Sequence, residues 1–341
     1  MAQAFLTRRR ELALGALACV LLPRTARATA ESPVQRSTAA LMGTQVDIVI
    51  QHADAGLRAR ALEAAWAEML RLSEMMSRYR SASQLSLLAR AAGGAPLPVA
   101  PELMAVLQQA QTLAQRSEGR FDATVGAYAD WHFEPGQPPR LPHPATLLRQ
   151  QGLVGPQGLQ LDADRGTARL ARAGMRLDLG GIAKLPILQA GLRTLARQGV
   201  QDALINGGGD VLCSGTLQGK PWRVGLRDPR APQQLLGVLA LSGGVVAASG
   251  DYERGFELAG RRYHHILDPR SGQPSQGLQG LALVAPSVEA VNGWGAAMMV
   301  AGPAQSRRWL REQLPGVQAM LAGPEGVWLS AGLRSRLLPA A

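Results

Sequence analysis

Strand-like and helical hydrophobic patterns alternate along this chain without a regular strand–helix–strand period. That irregularity argues for an α+β fold, with mixed or antiparallel sheets packed against helices. Met42 to Ile50 alternates apolar and polar residues after a glycine turn, as a half-buried strand does. Leu62, Ala65, Met69, Leu72 and Met76 then recur at helical spacing, which predicts a core-facing helix from Leu57 to Met76. Pro101 opens a second helix in its first turn, and Gly119 closes it. Lys184 to Gln198 reads as a third helix, and the chain from Gly199 to Asn206 passes from helix cap into strand. Pro221–Arg227 and Leu235–Leu241 read as further strands, Trp309–Gln313 as part of a late helix, and Gly326–Ser330 as an edge strand. Gly136 to Pro144 carries four prolines and reads as loop.

The amino terminus carries an address. Arg8-Arg9-Arg10 precede an apolar run from Leu12 to Leu22, followed by Ala26-Arg27-Ala28. A charged start, a short apolar stretch and an A-x-A site make residues 1–28 a secretory signal and residues 29–341 the mature domain. The run is shorter than the roughly 20 apolar residues that cross a bilayer. The adjacent arginines point to the twin-arginine export route, an ordinary export signal being the alternative. The expected location is the periplasm, with inner-membrane association as a further option.

Export leaves Cys213 as the one cysteine of the mature chain, so no intrachain disulfide forms. Cys213 lies in an apolar strand-like run and reads as a small buried hydrophobe rather than a nucleophile. The formal charge is +11, part of it in residues 1–28, and the only lysines are Lys184 and Lys220. The arginines are scattered and aromatics few, so the basic balance does not signal nucleic acid. The mature length suffices for one large domain or two intimate ones.

Chemistry concentrates in four glycine-punctuated clusters. Ser249 to Gly272 gathers Asp251, Tyr252, Arg254, Tyr263, His264, His265, Asp268 and Arg270, as a site for an anionic ligand does. Gly119 to Gly126 places Asp122 and Thr124 after Phe121; Asp122 either holds a ribose or flat ring, or caps a turn. Leu177 to Lys184 reads as strand, glycine turn and helix start, where outward N–H groups and the helix dipole favour phosphate. A lysine is unfavourable at that end of a helix, so Lys184 has a reason to be there, phosphate contact being the favoured one. Gly207-Gly208-Gly209 implies close approach of a ligand to the backbone, with a hairpin turn as the alternative.

Taken together, these clusters resemble the ApbE-type FAD:protein FMN transferases over nearly the whole mature chain. Ser77-Arg78-Tyr79-Arg80 is similar to the family's S-x-Y segment, and Phe121-Asp122-Ala123-Thr124 to its F-D-P-T. Asp178 to Lys184 resembles D-L-G-G-I-A-K, and Asn206 to Asp210 resembles N-x-G-G-D. Ser249-Gly250-Asp251-Tyr252 resembles S-G-D-Y, and His265 to Gly272 resembles H-I-I-D-P-x-T-G, all in the family's order. The resemblance implies a two-lobed architecture with FAD between the lobes. It implies that Met42, Tyr79, Phe121, Asp122, Ala123, Asp178, Gly181, Lys184 and Ile266 contact the flavin nucleotide. A magnesium ion on the pyrophosphate falls by position at Ala183, Asn292 and Ala296, and His265 is the implied base. The implied reaction moves FMN from FAD to a threonine or serine of an acceptor protein, a membrane or periplasmic redox subunit, with AMP leaving.

The chain departs from the pattern at the metal. Where the family has A-D-A-L-A-T-A, with an aspartate and a threonine as ligands, this chain has Val291-Asn292-Gly293-Trp294-Gly295-Ala296-Ala297. Asn292 replaces the aspartate, Ala296 the threonine, and Trp294 a leucine. After Lys184, Leu185 to Gln189 stands in for G-Y-x-x-D. Two readings follow: a working transferase with an altered metal shell, or a flavin-binding relative or assembly factor that does not transfer.

Overall fold

A computed structural model of the chain describes residues 34–133, 136 and 138–340, so the expected signal in residues 1–28 lies outside the described residues. The first half contains strands β1 (Val34–Leu41), β2 (Thr44–Gln51), β3 (Leu97–Pro98), β4 (Leu159–Asp162) and β5 (Thr167–Leu170). Its helices are α1 (Ala55–Met75), α2 (Gln84–Arg90), α3 (Pro101–Arg116) and α4 (Pro144–Gln151), with a 3-10 turn at Ala123–Ala127. The second half begins with α5 (Lys184–Arg197), β6 (Asp202–Gly207) and β7 (Asp210–Ser214). It continues through β8 (Trp222–Asp228), β9 (Ala231–Leu241), β10 (Gly243–Gly250), β11 (Gly255–Leu258), β12 (Arg261–His264) and β13 (Gly280–Ala285). It closes with α6 (Trp294–Ala301), α7 (Pro303–Glu312), β14 (Gln318–Gly323), β15 (Gly326–Leu329) and α8 (Ala331–Arg336).

The centre is an eight-stranded sheet in the order β1-β2-β6-β7-β10-β13-β14-β15. Every neighbouring pair runs antiparallel, so hairpins and meanders replace the crossovers of a parallel sheet. Strand side chains alternate between faces, and here both faces are covered. Ile48, Ile205, Leu212, Val245, Leu283 and Leu321 face a core built with α1, α3, α5, α6 and α7. Their neighbours Leu204, Val211, Cys213, Val246, Val284 and Met320 face a second core closed by the β8–β9 ribbon and Leu333 of α8. Double burial is why the inner strands read as apolar runs rather than clean alternation. Cys213 is buried in that second core, and burial pushes its thiol up to about 11, so it stays protonated.

The expected helices and strands are present, with shifted ends. The late helix begins at Pro303, six residues before the Trp309 start, because proline fits a first helical turn. α2 and α4 were not expected. Ser83 caps α2 by accepting from the Ser86 N–H at 3.0 Å, while α4 starts at Pro144 inside the stretch read as loop. Among the described residues, no helix is long and apolar enough to cross a membrane.

Gly208 and Gly209 are the two loop residues of the β6–β7 hairpin, whose Gly207–Asp210 pair is hydrogen-bonded in register. Both have positive φ, 63° and 97°, so the hairpin alternative is the one the backbone adopts. A Cβ on Gly208 would lie 2.3 Å from Thr44 Oγ1. Gly208→Ala is therefore expected to lower unfolding stability by about 1–2 kcal/mol, read as a reduced urea midpoint at unchanged m-value.

Candidate active site

The fixed register sets three chain reversals level at one end of the sheet. They are the Met42–Gly43 turn, the Gly208–Gly209 turn and the segment leaving β10 at Gly250. Asp210, just after the second turn, is buried; its Oδ1 accepts the Ala248 N–H at 2.8 Å. Its Oδ2 pairs with Lys184 Nζ at 3.0 Å. The ammonium at the start of α5, unfavourable for the helix dipole, thus answers a buried carboxylate. Phosphate contact was the expectation for Lys184, and the partner present is Asp210.

The turn before α5 is organised by Asp178. Its N–H donates to Ala123 O at 2.7 Å, and its Oδ1 accepts from Gly180 N–H at 2.8 Å. Its Oδ2 pairs with Arg78 Nη1 at 2.8 Å, and the Arg78 guanidinium also lies 4.9 Å from the centre of the exposed Tyr79 ring. Gly181 is packed: a Cβ there would stand 3.1 Å from Ala296 Cβ and 3.4 Å from Phe121 Cε2. Five expected contact residues, Tyr79, Phe121, Ala123, Asp178 and Gly181, therefore share one wall. Asp122 accepts from Thr124 N–H at 2.8 Å and Thr124 Oγ1–H at 2.7 Å, and burial raises its pKa. It caps the 3-10 turn, the simpler of its two readings.

The β11–β12 hairpin brings the facing wall. At its base the Arg254 carbonyl accepts the His265 N–H at 3.2 Å and lies 3.3 Å from His265 Nδ1. That contact places the ring proton on Nδ1 and leaves the Nε2 lone pair open. Crowding by protein atoms pushes the His265 pKa down to about 4, aided by the Arg254 charge, although the residue keeps substantial solvent contact. The imidazole is therefore neutral near pH 7. Arg254 Nη2 reaches the carbonyls of Met42 and Gly43 at 3.4 and 3.5 Å, joining this wall to the first turn. The two histidines divide their work: His264 is buried, with Nε2 2.8 Å from Ser275 O, and is structural. Ile266, half-buried, follows His265, and its carbonyl accepts Ser275 N–H at 2.8 Å.

An aromatic clamp holds the histidine segment. Trp131 Nε1–H donates to Gly272 O at 2.7 Å, and Tyr128 O–H donates to Pro269 O at 2.8 Å. Trp131 stacks on Phe133 at 5.3 Å and meets Tyr263 at 5.9 Å; Tyr263 stacks on Phe256 at 5.4 Å. Sequence reasoning assigned Tyr128, Trp131 and Phe133 nothing, since the carbonyls that Tyr128 and Trp131 bond lie more than a hundred residues away.

Asn292 is buried, and its Nδ2–H donates to Gln109 Oε1 at 2.8 Å. Trp294 packs edge-on against Trp309 at 5.3 Å with the Arg116 guanidinium 5.1 Å away, which accommodates the larger ring. Among the described residues, no three His, Cys, Asp or Glu side chains come together as a metal cluster.

With this geometry in view, comparison with known proteins is decisive. The ApbE family model matches residues 42–321. The chain belongs to the ApbE family. A Klebsiella pneumoniae relative named FAD:protein FMN transferase is 33% identical over 245 residues, covering 72% of this chain and 75% of its own length. A Rhodobacter capsulatus protein of the same name is 32% identical over 255 residues, 74% of this chain but 48% of its own length. The chain thus spans about half of that relative. The crystal structure of the ApbE protein from Thermotoga maritima superposes with a TM-score of 0.81 at 26% identity, covering 89% of this chain and 99% of the other. The α+β expectation holds: helices pack on antiparallel sheets as in that ApbE structure.

The clamp yields a test. Trp131→Phe keeps a ring but strands the Gly272 carbonyl, and is expected to cost about 1–3 kcal/mol in urea unfolding. Trp131→Ala also empties the stack and is expected to cost about 3–5 kcal/mol.

Proposed function

We propose that this ApbE-family protein is an FAD:protein FMN transferase. The observation that carries the reading is His265, a neutral imidazole with its Nδ1 held by Arg254 O and close enough to Asp178 to feel its charge. The names of the relatives support it. FAD is the donor, with its flavin half near Met42, Tyr79 and Phe121 and its phosphates toward His265. An acceptor threonine or serine hydroxyl gives its proton to His265 Nε2 as its oxygen bonds the FMN-side phosphorus. The bond from that phosphorus to the bridging oxygen breaks, AMP leaves with that oxygen, and FMN remains on the acceptor as a phosphoester. The acceptor is a redox subunit of the membrane or periplasm, and residues 1–28 support action after export.

Magnesium does not fit the residues present. The Asn292 amide donates its Nδ2–H to Gln109 and has only a neutral Oδ1 to offer, Ala296 offers a methyl group, and the Ala183 carbonyl accepts Ile187 N–H at 3.2 Å in α5. Such a set supplies no carboxylate, whereas magnesium is ordinarily held by one or two carboxylates besides substrate phosphates and water. The Asn292–Gln109 pair favours the second reading, a flavin-binding relative or assembly factor without transfer.

Purified mature protein mixed with FAD and a peptide carrying a D-x-x-T acceptor separates the two. Flavin fluorescence on the peptide after denaturing electrophoresis supports transfer; bound FAD with an unlabelled peptide supports the second reading. His265→Ala is expected to keep FAD binding and lose transfer, and loss of both would count against the base role. The His265 pKa is lowered from 6.5 to about 4, so the neutral base persists well below neutrality. Transfer is expected to stay level from neutral pH down to about pH 5 and to fall as pH approaches the folded value.

Asn292→Asp combined with Ala296→Thr is expected to create a magnesium response. Millimolar magnesium should raise the thermal midpoint of the FAD-loaded double variant and leave the parent unchanged. A shift in the parent would refute the misfit.

A further inference from the structure

We propose that the Arg254 guanidinium contacts the phosphates of the bound flavin nucleotide. The proposal rests on the reading of this site as one that holds FAD, and goes beyond it by naming the group that meets the nucleotide's charge.

Among the described residues, two of the cationic side chains beside the site have carboxylate partners. Arg78 pairs with Asp178 at 2.8 Å and Lys184 with Asp210 at 3.0 Å. Arg254 differs. It is half-buried between β10 and β11, and its hydrogen bonds run from one nitrogen to two neutral carbonyls, at 3.4 and 3.5 Å. Among the described residues, no carboxylate pairs with it within 4.0 Å. A guanidinium partly withdrawn from water, with long bonds to neutral partners, retains unused donors in a rigid fork that matches phosphate oxygens.

Its place in the fold is specific. Gly43 leaves room for it, since a Cβ there would stand 2.7 Å from Arg254 Nη2. Its own carbonyl orients His265, so one residue holds the base by its backbone and offers a cation by its side chain. An anion on that fork is held beside the histidine, where a transferring phosphoryl group must be. Phosphoryl transfer needs its charge neutralised, and neither Asn292 nor Ala296 brings charge for that purpose.

The test uses the mature protein and its Arg254→Gln and Arg254→Lys variants, titrated with FAD, FMN and riboflavin by flavin fluorescence. Arg254→Gln is expected to weaken FAD and FMN by about tenfold or more and to leave riboflavin, which has no phosphate, unchanged. Arg254→Lys should recover part of the loss, and added salt should weaken FAD binding less in Arg254→Gln than in the parent. Equal weakening of all three ligands overturns the proposal, because Arg254 would then act by shaping the Met42–Gly43 turn. Unchanged FAD binding in Arg254→Gln, with circular dichroism like the parent's, overturns it as well. A parent that binds none of the three would overturn the flavin reading itself, an outcome separate from the first two.

Discussion

Burial of both faces of the eight-stranded sheet is the constraint on which the other features depend. Ala203 and Ile205 lie in the core under the helices, while Leu204 between them lies in the core under the β8–β9 ribbon. Leu212 and Val211, and Val245 and Val246, divide in the same way. A slip of one residue would exchange the contents of two cores of different shape, so the register is strongly specified. The hairpin turns are level because the register is fixed, and the site sits at that level end. Its precision comes from apolar packing remote from any polar chemistry.

Electrostatics at the site then follows from which charges are already matched. Asp210 would be costly in its buried position without Lys184, and Asp178 draws Arg78 across from the segment after α1. One pair ties the start of α5 to β7 and the other ties the turn before α5 to the segment after α1, each neutralising itself. The facing wall carries a neutral histidine and Arg254, so the unmatched positive charge lies on the hairpin side. A nucleotide placed between them meets a matched wall on one side and a cationic one on the other.

Much of this was legible in the chain, for separable reasons. The long helices α1, α3 and α5 announce themselves by periodicity, and α3 also by Pro101 and Gly119 at its two ends. The motif clusters announce the site because glycines, aspartates and histidines stand together locally. Pairings set by distant register leave no local trace: Lys184 with Asp210, Asn292 with Gln109, and Trp131 with Gly272. Arg254 is the instructive case. It stands within the cluster that drew attention first, yet its role depends on the hairpin that folds it back beside His265, eleven residues on. α2 was hidden because its seven residues show too little periodicity, and its Ser83 cap looks like any loop serine.

The Asn292–Gln109 pair shows how a buried amide at the start of α6 is held within the protein. A buried carboxylate without a cation is expensive, whereas a buried amide needs only a matching partner. Gln109 on α3 supplies it at 2.8 Å, and the left-handed Gly293 that follows packs against Leu113 and Ile182 without room for a Cβ. Charge on a nucleotide phosphate must then be met from the opposite wall, and Arg254 is the cation there whose described partners are all neutral. The two observations are complementary: a start of α6 that carries an amide bonded to Gln109 rather than a carboxylate, and a guanidinium facing the site without a carboxylate.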